Sequence, residues 1–201
     1  MKSALRIFRV FLVAFFICVS IGCGKYARPL TPESVSPAAV NNLQVQGTLE
    51  GVNFSWNSPQ TDRRGKELKD LSGYTVERKT LVNAADAVDS SVEFEELTTL
   101  EDVSIPTLLK EKERLRADEK PSHRAKIDGT LREFHYTDDS VTPGTQYLYR
   151  VVPQSYYGDG DVVQFVRVLF RGDASETTIF KGDDLDTGLD DSVFTSAPEE
   201  Q

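Results

Sequence analysis

Val141-Thr142-Pro143-Gly144-Thr145-Gln146-Tyr147-Leu148-Tyr149-Arg150-Val151 is the stretch that decides the fold. Pro143-Gly144 marks a turn, because Pro fixes φ and Gly accepts a positive one. Directly after it Tyr147, Tyr149 and Val151 stand two apart, so their side chains share one face of a strand. Val52, Phe54 and Trp56 repeat the spacing, as do Phe134 with Tyr136, and Tyr74 with Val76 after Ser72-Gly73. Val162 to Phe170 follows Gly158-Asp159-Gly160 and reads as the last strand, rich in β-branched residues. Short alternating strands between Gly and Pro predict an all-β chain folded as an antiparallel sandwich.

Working outward, the order is Pro37, Leu43-Gln44-Val45, then Val52-Asn53-Phe54-Ser55-Trp56-Asn57-Ser58-Pro59, then Gly73-Tyr74-Thr75-Val76-Glu77-Arg78, then the stretch quoted above. Together these resemble a fibronectin type III domain, one of the immunoglobulin-like sandwiches, over residues 37–79 and 130–170. The resemblance implies that Trp56 is the core Trp of the second strand and Tyr74 the Tyr of the third. It also implies that Tyr147 is a tyrosine corner, its ring inside and its hydroxyl bonded to backbone a few residues upstream. The domain is expected over 37–171, with an insertion at 80–129 that the resemblance does not account for.

Within the insertion, Ser104 to Lys120 reads as a short helix. Ser104 is the expected cap, Pro106 suits the first turn, and Pro121 ends it. Ile105, Leu108, Leu109, Lys112 and Leu115 line one side, and such a stripe usually faces its own core. A docking helix is the alternative.

The amino-terminal segment sets the expected address. Lys2, Arg6 and Arg9 precede an uncharged run from Val10 to Ile21, and Ser20-Ile21-Gly22-Cys23 closes it. A basic start, a short apolar middle and a small residue at the cut describe a signal peptide over residues 1–22. The run is too short to cross a bilayer as a helix. The Cys after a small residue resembles the lipobox of bacterial lipoproteins, which implies a diacylglyceryl and acyl anchor on Cys23. Gly24 after that Cys implies the outer membrane by the family's sorting rule. Residues 23–36, with Pro29 and Pro32, are expected to form a tether reaching about 40 Å.

Composition narrows the partners. Without residues 1–22 the chain keeps 20 basic against 32 acidic residues, a net of −12. That sign opposes nucleic acid and anionic lipid headgroups. Cys23 is then the one cysteine left, so the fold does not depend on an internal disulfide. Residues 172–201 hold nine acids and one Lys and are expected to form a disordered acidic tail that adds nothing to stability.

No pattern marks an enzyme, a metal site or a cofactor. His123 falls in a polar loop, and His135 between Phe134 and Tyr136 is expected to point outward. Asp184 to Asp190 is a poor match to a calcium loop, lacking a Glu at the twelfth position. Arg171-Gly172-Asp173 is the integrin tripeptide of some fibronectin modules, expected here at the end of the last strand and not between strands. Tyr156 and Tyr157 form the one adjacent aromatic pair beyond the leader. Packing at a strand end is their ordinary role; contact with carbohydrate or peptidoglycan is the functional alternative. The expected function is a lipid-anchored envelope protein with a non-catalytic binding or structural module, its partner another envelope protein.

Overall fold

The computed structural model describes residues 29–82, 86 and 93–182. The segment expected to be a signal peptide, Cys23 and the calcium-like stretch lie outside them. Every element below belongs to the unit Thr31–Gln201.

The fold is an all-β antiparallel sandwich. Strands β1 (Asn41–Thr48), β2 (Gly51–Asn57) and β5 (Glu133–Asp138) form one sheet in the order β1-β2-β5. Strands β3 (Gly73–Leu81), β4 (Glu95–Glu101), β6 (Gln146–Ser155), β8 (Gln164–Leu169) and β9 (Glu176–Lys181) form the other, in the order β4-β3-β6-β8-β9. The two-residue β7 (Gly158–Asp159) pairs with β6. A helical turn α1 (Pro32–Val35) precedes β1, and the helix α2 (Ser104–Ala117) lies between β4 and β5.

The period-2 residues meet between the sheets. Val52, Phe54, Trp56, Tyr74, Val76 and Tyr149 are all buried in one cluster. The Trp56 ring stacks on Phe134 at 5.9 Å and meets Tyr74 edge-on at 5.6 Å. Tyr147 is the corner that the resemblance implied: the Thr142 N–H donates to its hydroxyl at 3.0 Å. Gly144 holds the turn before it at φ +84°, where a side chain would be strained. Gly73 is required for another reason, because a Cβ there would lie 2.1 Å from the Leu100 carbonyl oxygen.

Four expectations are corrected. The tether is ordered from its end: α1 occupies Pro32–Val35, and Pro37 bridges to Asp62. The insertion is shorter than 80–129, because β3 runs to Leu81 and β4 pairs along it. Phe94 to Leu100 hides its strand character behind Glu95-Glu96 and an irregular register between Val76 and Glu77. The chain is not disordered from 172. Glu176–Lys181 pairs with β8, so Val162 to Phe170 is not the last strand. Acid counts over thirty residues masked the run Thr177-Thr178-Ile179-Phe180, which suits a strand. Residues 183–201 lie outside the described part.

Helix α2 packs as the stripe predicted. Ile105 and Leu115 are buried, Leu108 and Lys112 half-buried, and Leu109 exposed. Lys112 pairs with Glu67 of the β2–β3 loop. Two local expectations fail. Ser104 lies inside the helix and does not cap it; Asp102 accepts the Ser104 N–H at 2.7 Å instead. The helix ends at Ala117, not Lys120, with Glu119 in the left-handed region at φ +56°.

Candidate functional site

Tyr156 and Tyr157 form the turn of the β6–β7 hairpin, between the paired Ser155 and Gly158. Three bonds fix the turn. The Tyr156 N–H donates to Asp70 Oδ2 at 2.7 Å, the Tyr157 N–H to Ser155 Oγ at 3.2 Å, and Ser155 Oγ–H to the Gly158 carbonyl at 3.0 Å. The rings meet edge to face at 5.6 Å. Tyr156 is 90 % exposed and Tyr157 49 %. The ordinary role, packing at a strand end, therefore does not describe Tyr156. A rigid backbone carries an amphipathic aromatic pair in water, an arrangement suited to contacting a surface at small entropic cost. Asp70, which fixes the turn from the β2–β3 loop, had no sequence signal.

The buried acids are structural. Asp102 Oδ2 accepts the Tyr74 hydroxyl at 2.7 Å and the Ser58 hydroxyl at 2.8 Å, while its Oδ1 holds the first turn of α2. Burial pushes the Tyr74 phenol far up, and Asp102 pushes the same way. At the other end of the core Asp138 Oδ2 accepts Arg78 Nη1 at 2.8 Å and the Tyr149 hydroxyl at 2.9 Å. Ser140 completes this site through Asp138 Oδ1. Each carboxylate joins the two halves of the sandwich, and each is sealed from solvent. Their oxygens are spent on hydrogen bonds that hold strands together.

The histidines are not gathered with them. His135 is exposed, as its place between Phe134 and Tyr136 predicted. It faces a shallow concavity of about 650 Å³ over the three-stranded sheet, beside Gln44, Gln46, Asn53, Ser55 and Thr137. His123 is exposed in the 3₁₀ turn Ser122–Arg124. No group of three or more His, Cys, Asp or Glu capable of holding a metal forms among the described residues. Arg171-Gly172-Asp173 lies in the β8–β9 connection, which corrects its expected place; Arg171 pairs with Glu176 at 3.6 Å.

The larger sheet also has an outer face that carries no sequence signal. On β6 and β8 the residues between the core positions, Leu148, Arg150, Phe165 and Arg167, lie on the outer face of the larger sheet. Arg150 stands 4.1 Å from the Phe94 ring centroid and pairs with Glu77. Arg167 stands 5.2 Å from that of Phe180.

The sequence matches no protein-family model and no curated protein. Solved structures do match it. Over 76 % of this chain and 91 % of its own, a structure described as the fourth FNIII domain of a human protein is 14 % identical, with a TM-score of 0.40. The FN5 domain of Drosophila Lar is 14 % identical over 73 % of this chain and 98 % of its own, at a TM-score of 0.34. The third fibronectin III domain of human KIAA0343 protein is 11 % identical over 89 % and 99 %, at 0.35. The chain spans only 17 % of a twitchin kinase-region structure from C. elegans and 32 % of titin domains A168–A170. By its own geometry the protein is a two-sheet antiparallel sandwich, with one short helix of several turns among the described residues. Its buried Trp56 and its Tyr147 hydrogen bond are those a fibronectin type III-like module would have.

Proposed function

We propose that this chain is a lipid-anchored protein of the bacterial cell envelope that displays a non-catalytic, fibronectin type III-like binding or structural module. The observation that carries the reading is Ser20-Ile21-Gly22-Cys23 behind a basic start and a short apolar run. Acyl chains on Cys23 would each add about 0.8 kcal/mol per buried methylene, and two or three of them hold a domain that one does not. The outer membrane is the proposed site, and another envelope protein the proposed partner. The structural use of Asp102 and Asp138 supports a role without chemistry. Replacing Cys23 by Ser tests the anchor: the variant should lose the lipid mass and leave the detergent-extracted membrane fraction. A variant that stays in that fraction overturns the reading.

The exposure of Tyr156 supports a second reading, a carbohydrate- or peptidoglycan-binding accessory module that stacks sugars on Tyr156 and Tyr157. Retention on purified cell wall, lost when both Tyr become Ala, would support it. Absence of retention would remove it.

A further inference from the structure

The chain enters the sandwich beside its exposed tyrosines. Helical turn α1 begins after Thr31 and lies within 8 Å of β7, Cα to Cα. Just beyond α1 the Pro37 carbonyl accepts the Asp161 N–H at 2.9 Å. Gly160 leaves room for that approach, since a Cβ there would lie 2.8 Å from the same carbonyl oxygen. Strand β7 is the returning arm of the hairpin whose turn is Tyr156 and Tyr157. The point of entry and the aromatic pair therefore share the end of the sandwich where β6 finishes. The Pro143-Gly144 turn, before β6 begins, marks the opposite end.

Given the lipid anchor proposed above, on which this reading rests, we propose that this end of the sandwich sits on the phospholipid surface holding Cys23, with the Tyr156 and Tyr157 rings in the headgroup layer. Reach is the first observation. From Cys23 to Thr31 there are eight residue steps, about 28 Å at full extension. Strand β6 alone has ten residues and is about 33 Å long. An inverted sandwich, with the Pro143-Gly144 turn on the lipid, would hold Thr31 farther from the surface than those eight steps extend. The tyrosine end is the one kept close.

Chemistry is the second. A tyrosine joins an apolar ring to a polar tip and suits the boundary between hydrocarbon and water. Both rings are free to enter it, and Asp70 and Ser155 already hold the turn, so little ordering remains to oppose contact. Charge is the third. Asp70, Asp159 and Asp161 border the turn, and Arg63 is paired with Asp161 at 3.5 Å. Anionic headgroups are therefore disfavoured, and zwitterionic phospholipid fits. Two rings hold a membrane weakly by themselves; a short tether raises their effective concentration at the surface until the contact persists. The docked end fixes the orientation of the module and turns the Pro143-Gly144 end outward.

Tyr156→Trp in the full-length, lipidated protein tests it, in vesicles of phosphatidylcholine and phosphatidylethanolamine, with the buried Trp56 as a constant background. Flotation with the vesicles reports the anchor. Quenching by phosphatidylcholine that carries a nitroxide near the glycerol end of its acyl chain reports the contact. The new indole should emit to the blue of its value in detergent-free buffer and lose most of its added intensity to the quencher. Leu49→Trp, exposed in the β1–β2 turn at the opposite end, should keep its intensity. Flotation without quenching at position 156 overturns the proposal and leaves the anchor standing. Equal quenching at the two positions, or quenching at 49 alone, also overturns it. A parent protein that does not float overturns the anchor, and this proposal with it. Retention on purified cell wall with an unquenched indole would assign the pair to sugar instead.

Discussion

Trp56 offers the sharpest test of the core, because the structure sets two opposing effects on one side chain. The indole is almost wholly buried, stacked on Phe134 and edge-on to Tyr74. Its Nε1 finds no acceptor among the described residues. Trp56→Ala removes all the packing and should cost about 3–5 kcal/mol, a large share of the roughly 5–15 kcal/mol that holds an ordinary domain. Trp56→Phe keeps one ring against Phe134 and Tyr74. Its smaller cavity costs about 1–3 kcal/mol, within the range of partial core truncations. Removing a stranded N–H returns about 1–3 kcal/mol of desolvation cost. The terms nearly cancel, so Trp56→Phe should fall within about 1 kcal/mol of the parent while Trp56→Ala lies far below it. Urea unfolding followed by far-UV circular dichroism measures both. Equal losses for Phe and Ala would refute the reasoning, since they would mean that Nε1 is paired or that the whole indole shape is required.

Four further outcomes follow from single features. Tyr147→Phe should cost only about 1 kcal/mol, because Thr142 is exposed and water can take its N–H; calorimetry should show a shift of a few degrees and no loss of fold. Glu119→Gly should raise stability by about 1 kcal/mol, or about 2–4 °C in Tm, by relieving the left-handed backbone at φ +56° that ends α2. Above pH 10 the protein should weaken. Burial and their carboxylate partners raise the Tyr74 and Tyr149 phenols above the unfolded value of about 10. Their contribution is complete below that pH and is lost as pH rises, by up to about 1.4 kcal/mol per unit for each tyrosine. Absorbance at 295 nm should therefore show a late step that coincides with unfolding, and a titration completed with the fold intact would contradict it. Ending the chain after Arg171 should lower Tm clearly, since it removes Phe180 and strips the β8 edge, whereas an unstructured tail would have left Tm unchanged.

The parts legible in the sequence were those where one side of a strand is apolar and the other polar. Val52, Phe54 and Trp56 announced β2 because Asn53 and Ser55 lie between them. The stripe of α2 was readable for the same reason at period 3.6. Strands covered on both faces or set at an edge were not. On β6 the interleaved Leu148 is as buried as Tyr147 and Tyr149, so alternation located the strand but concealed its second dry face. Edge strands β4 and β9 pair on one side only, tolerate Glu and Thr, and leave little periodicity. Tyr156 and Tyr157 were visible as an aromatic pair. Their exposure was not, because it depends on Asp70, 86 residues away in the chain.

The same division bears on function. A sandwich of this kind buries its acids where two sheets must be joined, and Asp102 and Asp138 sit at the two ends of the core doing that. Exchanging either would act on folding before it acted on any ligand. What remains for recognition is surface, above all the Tyr156-Tyr157 turn, fixed by hydrogen bonds to its backbone and exposed to solvent. An exposed aromatic pair contacts a partner largely through apolar area, so binding there should be nearly insensitive to salt. Salt dependence of binding therefore tests that turn before any residue is changed.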